Sequence, residues 1–230
     1  MRPEEIVVVI PAVNAEKTIQ RVFQGVKQNL PDSPVIIVND GSTDRTREIC
    51  QSLGAVYVEH DQNLGKGAAL KSGFDKALDL NARVIVTLDA DCQHDPSDIH
   101  RFLCEFKKSG PDLIFGCRMS NIHDMPFHRV VSNYLTSRLI SWRTGTRIRD
   151  SQCGFRLIKA EVLKNINLDC NGFDLESELA VKAALHGYVI DSIDIRTIYQ
   201  KDHSSRMRLL KDTWQFVRLY CNSLFWSHTN

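Results

Sequence analysis

The sequence has no long hydrophobic run, no closely spaced cysteine pair and almost no net charge. No stretch approaches the roughly 18 apolar residues of a membrane-spanning helix, and the apolar run near the start has only the length of a strand, unlike a signal peptide. The seven cysteines are odd in number and contain no C-x-x-C pair, so neither a disulfide framework nor a zinc ribbon is expected. A balance of 29 Lys and Arg against 28 Asp and Glu gives no reason to expect duplex nucleic acid as a partner. We therefore expect a cytoplasmic globular protein.

Short apolar runs alternate with amphipathic stretches along the first half of the chain. Strands are predicted at residues 6–10, 35–38, 55–58, 83–88 and 112–116, and helices at 15–29, 43–53, 66–80 and 96–108. This order indicates an α/β fold in which a mostly parallel sheet carries helices on both faces. Because ligands bind at the carboxyl ends of strands in such sheets, the polar residues after the strands are expected to converge there. The later helices are predicted at 128–142, 174–186 and 206–226, and the later strands at 154–158 and 188–195.

The segment LDADCQHDP (88–96) places two carboxylates, Asp89 and Asp91, directly after a predicted buried strand. In extended backbone they would share one face and bind a divalent cation that bridges phosphate oxygens. Gln93 would add a neutral oxygen ligand, and an all-oxygen set suits Mg²⁺ or Mn²⁺. The alternative is a solvated turn in which Asp95 caps the next helix.

Two further segments combine polar and glycine residues at predicted element ends. VIIVNDGSTDRT (35–46) places Asp40 at a strand end, where its carboxylate can accept hydrogen bonds from a nucleobase edge or a ribose hydroxyl. The alternative there is an ordinary polar turn. NLGKGAALKSG (63–73) matches neither G-x-x-x-x-G-K-[ST] nor G-x-G-x-x-G, which excludes a kinase or dehydrogenase on this motif. Its glycines and Lys66, at a predicted helix start, would still allow close approach of a nucleotide.

Six segments, in this order, resemble family 2 glycosyltransferases, in particular those that transfer mannose or glucose to a polyprenyl or dolichyl phosphate. They are VVVIPAVN (7–14), VNDGSTD (38–44), NLGKGAALKSG (63–73), DADCQHDP (89–96), DSQCGFR (150–156) and FDLESEL (173–179). The resemblance covers about residues 5–210. It implies a GT-A fold, a UDP- or GDP-hexose donor, Mg²⁺ or Mn²⁺ as cofactor, a polyprenyl phosphate acceptor and inversion at the anomeric carbon.

The resemblance also implies roles for individual side chains. Together with Lys66, the nucleotide-sugar-binding residues are expected to be Pro11, Val13, Asp40, Asp89, Ala90, Asp91, Glu178, Arg196 and Arg206. The implied metal ligands are Asp89, Asp91 and Gln93. The implied catalytic residues are Asp91, Asp150, Arg118 and Arg129.

Within that set, Arg118 and Arg129 would bind the acceptor phosphate, because a guanidinium grips phosphate oxygens bidentately. Asp150 would position the donor, since an ionised phosphate needs little general-base help. Its alternative is to cap the turn that leads to Cys153. Glu176 is expected either to orient the donor sugar or to be an exposed helix charge.

We expect a catalytic domain over residues 1–205, with a nucleotide-binding half (1–117) and an acceptor and sugar half (118–205). A C-terminal amphipathic helix and tail (206–230) would follow. That helix fits either packing on the core or peripheral contact with the cytoplasmic face of a membrane. Two rival functions stay open: a GT-A transferase with a glycan or protein acceptor, and a non-catalytic nucleotide-sugar-binding protein.

Overall fold

A single seven-stranded sheet organises the chain, with strand order β3-β2-β1-β4-β6-β5-β7. The computed structural model describes residues 2–120, 122, 125–198 and 209–226, apart from the side chains of 209–212. The strands are β1 Ile6–Ala12, β2 Val35–Asp40, β3 Val56–His60, β4 Val84–Thr87, β5 Leu113–Cys117, β6 Arg156–Lys159 and β7 Ile190–Asp194. The helices are α1 Ile19–Asn29, α2 Thr46–Ser52, α3 Lys66–Asp79, α4 Ile99–Ser109, α5 Phe127–Thr144, α6 Ala160–Asn165, α7 Leu175–Leu185 and α8 Leu209–Ser223.

The sheet separates two hydrophobic cores because successive side chains of a strand point to opposite faces. Along β1, Val8 and Ile10 face one core and Val7 and Val9 face the other, and all four are fully buried. The first core is filled by α1 and α4 and the second by α3 and α7. Burial on both faces explains why the central strands have continuous β-branched runs instead of alternating polar residues.

β6 runs antiparallel to both of its neighbours, β4 and β5, while the other strand pairs are parallel. Its first residue, Arg156, therefore pairs with Thr87 at the carboxyl end of β4 and with Phe115 in β5. This reversal brings the loop that precedes β6 to the same edge as the carboxyl ends of the parallel strands. The mostly parallel α/β sheet predicted from the sequence is confirmed.

Several predicted helices begin later than expected. Residues 15–18 form a turn before α1, in which the backbone amides of Thr18 and Ile19 donate to Ala15 at 3.0 and 2.9 Å. α2 begins at Thr46 because the preceding loop is held by Asn14, whose side-chain oxygen accepts the amide of Thr43 at 2.8 Å. α6 was not predicted, since six residues are too few to show a helical period.

α8 packs against the rest of the described chain through its C-terminal end. The Arg143 guanidinium donates to the carbonyl oxygens of Ser223 at 2.7 Å and Trp226 at 2.6 Å. Lys182 lies 4.8 Å from the centre of the Trp226 ring, and Leu219 is buried. Within the described ranges, no helix is both long and apolar enough to cross a membrane.

Candidate active site

A buried charge cluster lies at the carboxyl edge of the sheet. The ammonium of Lys66, at the start of α3, is 2.6 Å from Oδ1 of Asp89 and 3.0 Å from Oε1 of Glu176. Arg156 extends the cluster, with Nη2 3.7 Å from Oε2 of Glu176. Burial would lower the pKa of Lys66, but the two carboxylates raise it above the ordinary value. Glu176 is buried, so its alternative as an exposed helix charge is wrong.

Asp89 is held on three sides. Nε2 of His94 lies 3.5 Å from Oδ2, and the backbone of Gly154 lies so close that a Cβ there would overlap the carboxylate. Burial would raise the pKa of Asp89, but the charge of Lys66 and the hydrogen bond from His94 hold it well below the usual range. Asp89 is therefore a fixed anion whose charge is matched by the Lys66 ammonium.

Asp91, the second acidic residue of the motif, forms no ion pair with the described residues, unlike Asp89. It is half-exposed, and Oδ1 accepts the backbone amide of Gln93 at 2.9 Å. In the described part of the chain, Oδ2 has no partner, so it fits a cation ligand. The described residues contain no group of three or more His, Cys, Asp or Glu side chains able to hold a metal. The residues present thus fit a divalent cation that the protein would hold through Asp91 and few other side chains.

Asp40 holds the loop next to this cluster that carries Gly65 and leads into α3, here called the glycine loop (residues 63–67). Its carboxylate accepts the amides of Leu64 and Gly65, both at 2.9 Å, and lies 2.7 Å from Nδ1 of His60. Nε2 of His60 lies 2.9 Å from the Ser72 hydroxyl. A neutral ring protonated on Nδ1 satisfies both contacts. Asp40 is therefore a buried side chain that anchors this loop, and not part of an ordinary polar turn.

The glycines of this loop allow another backbone segment of the protein to pack directly against it. Gly65 has φ +104°, and a Cβ there would collide with the carbonyl oxygen of Asn171, while a Cβ on Gly67 would collide with the backbone of both Asn171 and Gly172. The amide of Ala68 donates to the carbonyl of Asn171 at 3.1 Å. These glycines, expected to allow close approach of a nucleotide, thus lie against the loop that precedes α7, the helix that carries Glu176.

A second buried ion pair joins Asp150 to Arg118, directly after β5. Nε and Nη2 of Arg118 donate to the two carboxylate oxygens, each at 2.9 Å, and the Arg118 amide donates at 3.1 Å. Asn133 of α5 donates from its side chain at 2.7 Å. Burial would raise the pKa of Asp150, but Arg118 and these hydrogen bonds lower it below its usual range.

Other predicted site residues lie further from these two clusters or have different partners. Glu178 accepts the amides of Asp169 and Cys170 and lies 2.6 Å from Lys182. Arg196 is largely exposed, 3.5 Å from Asp95. Its amide donates to Asp98 at 2.7 Å.

The remaining predicted residues lie in or just after β1, just after β4 and at the start of α5, and one lies outside the residues that the structure describes. Pro11 is buried in β1, beyond the last β1–β4 pair, so its missing amide costs no sheet hydrogen bond there. Val13 is half-buried and Ala90 is buried. Arg129 is half-exposed, and no described residue forms a hydrogen bond or ion pair with its side chain. Arg206 lies outside the described residues.

Three residues that complete the clusters were not predicted: Asn133, His60 and Arg156. Asn133 and His60 lie inside a predicted helix and just after a predicted strand, where a polar residue carries no local signal of its partner. Arg156 is the last residue of the segment DSQCGFR, and the resemblance implies no role for it. A buried position on a predicted strand is the one signal that would have marked its guanidinium as requiring a counter-charge.

Comparison with known proteins places this architecture. The structure of glucosyl-3-phosphoglycerate synthase from Mycobacterium tuberculosis, in complex with Mn²⁺, UDP and glucosyl-3-phosphoglycerate, matches with a TM-score of 0.68. It is 20% identical, and the match covers 95% of this chain and 78% of that chain. This likeness shows the fold, and the expected GT-A class is confirmed.

Two relatives are similar in sequence over most of their length. The UDP-N-acetylglucosamine–dolichyl-phosphate N-acetylglucosaminyltransferase of Methanococcus voltae is 30% identical, over 90% of each chain. The polyprenol monophosphomannose synthase of Mycolicibacterium smegmatis is 28% identical, over 85% of this chain and 78% of that one.

Fold and relatives together define the class of protein, a glycosyltransferase. More particularly, the chain belongs to glycosyl transferase family 2, whose sequence model matches residues 7–166. The family and the enzyme class expected from the six segments are therefore confirmed.

Proposed function

We propose that this protein transfers a hexose from a UDP- or GDP-sugar to a polyprenyl phosphate, with inversion at the anomeric carbon and release of the nucleoside diphosphate. The observation that carries the proposal is the placement of the Lys66–Asp89–Glu176 cluster and the Asp150–Arg118 pair at one edge of the sheet. The activities named for the two relatives, on dolichyl phosphate and a polyprenol monophosphate, support the acceptor.

The donor is proposed to lie along the carboxyl ends of β1, β2 and β4. Pro11, Val13 and Ala90 would line the base and ribose, next to the loop that Asp40 holds. Lys66 is the cation closest to Asp89, and Glu176 faces the same ammonium. Because Glu176 is buried and tied to Lys66, it is well placed to orient the sugar while Lys66 offers charge to the diphosphate.

A divalent cation, Mg²⁺ or Mn²⁺, would neutralise charge on the departing diphosphate when bound. Asp91 is the residue of this chain that would hold it, with Gln93 beside it. Asp89 is less suited, since its oxygens already face Lys66 and His94. The Mn²⁺ and UDP bound in the structurally similar synthase are consistent with this assignment.

The acceptor phosphate is proposed to bind near Arg118 and Arg129. Both arginines follow β5, Arg118 at its end and Arg129 in the first turn of α5. Arg118 is oriented by two hydrogen bonds to Asp150. Arg129 has no charge partner among the described residues, so phosphate oxygens would supply one. Asp150 thereby becomes a positioning residue that fixes Arg118.

The transfer step requires no proton abstraction by the protein. A phosphate oxygen of the acceptor forms a bond to the anomeric carbon, and the bond from that carbon to the donor diphosphate breaks with its electron pair on the diphosphate oxygen. The acceptor is already ionised at neutral pH. Lys66 offers fixed positive charge near the leaving group, where preorganised charge lowers the barrier most.

The test is to incubate the protein with Mn²⁺, a short-chain polyprenyl phosphate and a panel of UDP- and GDP-sugars. Release of the nucleoside diphosphate is measured with and without the lipid. We expect release that requires the lipid and one donor. Donor binding without lipid-stimulated release would instead favour a glycan or protein acceptor or a non-catalytic nucleotide-sugar-binding protein, and no donor binding at all would favour a degenerate enzyme.

A matched pair of variants tests the acceptor site. Arg129→Ala is expected to raise the KM for the polyprenyl phosphate at least tenfold and to leave donor binding unchanged. The control is Arg83→Ala, an exposed arginine at the opposite, amino end of β4. Equal KM values for the two variants would remove Arg129 from the acceptor site.

A further inference from the structure

α5 has two unlike faces. Its inner face is buried and comprises Asn133, Thr136, Ser137, Ile140 and Thr144. On its outer face, large apolar side chains recur every three to four residues and are exposed to solvent. These are Phe127 (81% exposed), Val131 (39%), Tyr134 (54%), Leu135 (52%), Leu139 (40%) and Trp142 (76%). Six such side chains on one helix form a contiguous stripe, which marks an interaction surface and not scattered exposure.

Within α5 and the turn that follows it, the Asp, Glu, Lys and Arg side chains have one sign of charge. Residues 127–147 contain four arginines and no acidic residue, in a chain whose formal net charge is only +1. Arg138, which lies among the apolar side chains, and Arg147, just after the helix, are exposed. A second copy docked face to face would bring two such cationic faces together. An anionic surface complements them instead.

We propose that the outer face of α5 binds the surface of an anionic lipid bilayer. Trp, Tyr and Phe side chains favour the boundary between head groups and acyl chains, and arginine stems extend along apolar surface while the guanidinium reaches the phosphates. A helix with an apolar face and flanking cations lies in that boundary without crossing it.

The surface continues onto the end of α8. Because Arg143 binds the carbonyl oxygens of Ser223 and Trp226, the C-terminal ends of α5 and α8 are adjacent. Between those two anchors lie Leu224 and Phe225, which are 51% and 87% exposed. Membrane contact expected from the C-terminal helix alone is thus assigned mainly to α5.

This orientation connects the bilayer to the active site and, in that respect, rests on the proposed function. Asn133, on the inner face of α5, donates to Asp150, which holds Arg118. A helix is about 10–12 Å across with its side chains. An acceptor phosphate at the level of the lipid head groups is therefore about one helix diameter from the Arg118–Asp150 pair.

The test compares the full chain with an outer-face variant, Phe127→Gln/Leu135→Gln/Trp142→Gln, in flotation with phosphatidylcholine vesicles with or without phosphatidylglycerol. We expect the wild type to bind only the anionic vesicles, and the variant to bind at least tenfold more weakly. The matched control is Val189→Gln, which removes an apolar side chain that is 61% exposed outside the stripe. Arg138→Gln/Arg147→Gln is expected to reduce the preference for anionic vesicles several-fold.

Thermal unfolding and UDP binding of the outer-face variant check that it is folded, and both are expected to match wild type. Equal vesicle binding by wild type and variant would overturn the proposal. So would a wild-type dimer that the variant converts to monomer, because a second copy would then occupy the face. If vesicle binding depends on α5 but no donor or lipid supports transfer, the proposed function fails and the membrane surface stands.

Discussion

At the scale of single residues, the buried charges of this protein are paired by geometry that spans distant parts of the chain. Asp150 illustrates the consequence, because its carboxylate is fully buried and receives two hydrogen bonds from the Arg118 side chain. A buried pair of this kind is costly to break from one side, since the remaining charge stays in a region of low polarity. The pair is thus a stability element as well as part of the candidate site.

We expect Asp150→Asn to lower the free energy of unfolding by about 3 kcal/mol at neutral pH, because Arg118 loses its counter-charge. The pKa of Asp150 is lower in the folded protein than the ordinary value of 3.8. Its stabilisation is therefore present above that pH and is lost as the pH falls through the lower, folded-state pKa. Urea unfolding between pH 2 and 7 measures this, and the variant should lose part of the acid dependence. Asp61→Asn, at an exposed position, is the control and should keep the wild-type profile.

A second residue-scale prediction concerns Gly154, which lies against the carboxylate of Asp89. Gly154→Ala should destabilise the protein by about 1–3 kcal/mol, because the new methyl group forces a fixed, ion-paired side chain to move. Donor binding should weaken with it. The double variant Gly154→Ala/Asp89→Ala should restore part of the lost stability. Simple additivity of the two single changes in a double-mutant cycle would show that the overlap is relieved elsewhere.

At the scale of elements, α7 supports the glycine loop through its own N-terminal loop. Glu178 holds the backbone at Asp169 and Cys170, and the next residues, Asn171 and Gly172, pack against the loop that carries Lys66. The contacts of Glu178 favour an anchoring role for this residue over the direct donor contact that its motif implies.

Burial and the nearby carboxylates raise the pKa of the Cys170 thiol above its usual range, which keeps it protonated.

Glu178→Ala is therefore expected to reduce stability by about 2–3 kcal/mol, since it leaves the backbone amides of Asp169 and Cys170 without their acceptor and removes one of the partners of Lys182. Its donor Kd should change by less than about threefold when measured well below the unfolding temperature. Calorimetric titration with UDP and thermal unfolding give the two quantities. Glu161→Ala, an exposed charge on α6, is the comparison. A large rise in Kd with unchanged stability would return Glu178 to the donor site.

Element prediction from the sequence succeeded where the signal is local. The β-branched run of β1 and the apolar stripe of α1 lie within the ranges predicted for them. The direction of β6 carries no such signal, because a four-residue buried strand has the same composition in either orientation. That direction nevertheless brings Gly154 and Arg156 to the active-site edge.

At the scale of the whole molecule, metal and nucleotide binding should be coupled. Within the described residues, no preformed cluster offers three metal ligands, and Asp91 offers one free carboxylate oxygen. In the proposed function, a cation would therefore complete its coordination with oxygens of the donor's diphosphate. Mn²⁺ alone is expected to leave the Tm nearly unchanged.

The donor's nucleoside diphosphate, UDP or GDP, at about 100 times its Kd and with Mn²⁺ present, should stabilise the fold by about 2.7 kcal/mol. For a chain of this length that corresponds to a rise in Tm of about 5–10 °C. Differential scanning calorimetry with Mn²⁺, UDP and both together measures the coupling. Asp91→Asn should remove the Mn²⁺-dependent part of the rise, and Asp95→Asn, in the same loop, should retain it. A large shift with Mn²⁺ alone would contradict this account.

The sequence by itself determined the α/β class, the order of the elements other than α6, the family and the segments that meet at the sheet edge, because periodicity and motif spacing are local properties of the chain. Only the tertiary structure decided which charges pair. The choices of Lys66 for Asp89 and Glu176, and of Arg118 and Asn133 for Asp150, depend on contacts between strands and helices far apart in sequence. The tertiary structure also decided that α5 carries the exposed apolar face. A helical stripe in a sequence predicts that one face is apolar, and only the packing of its neighbours determines whether that face is covered.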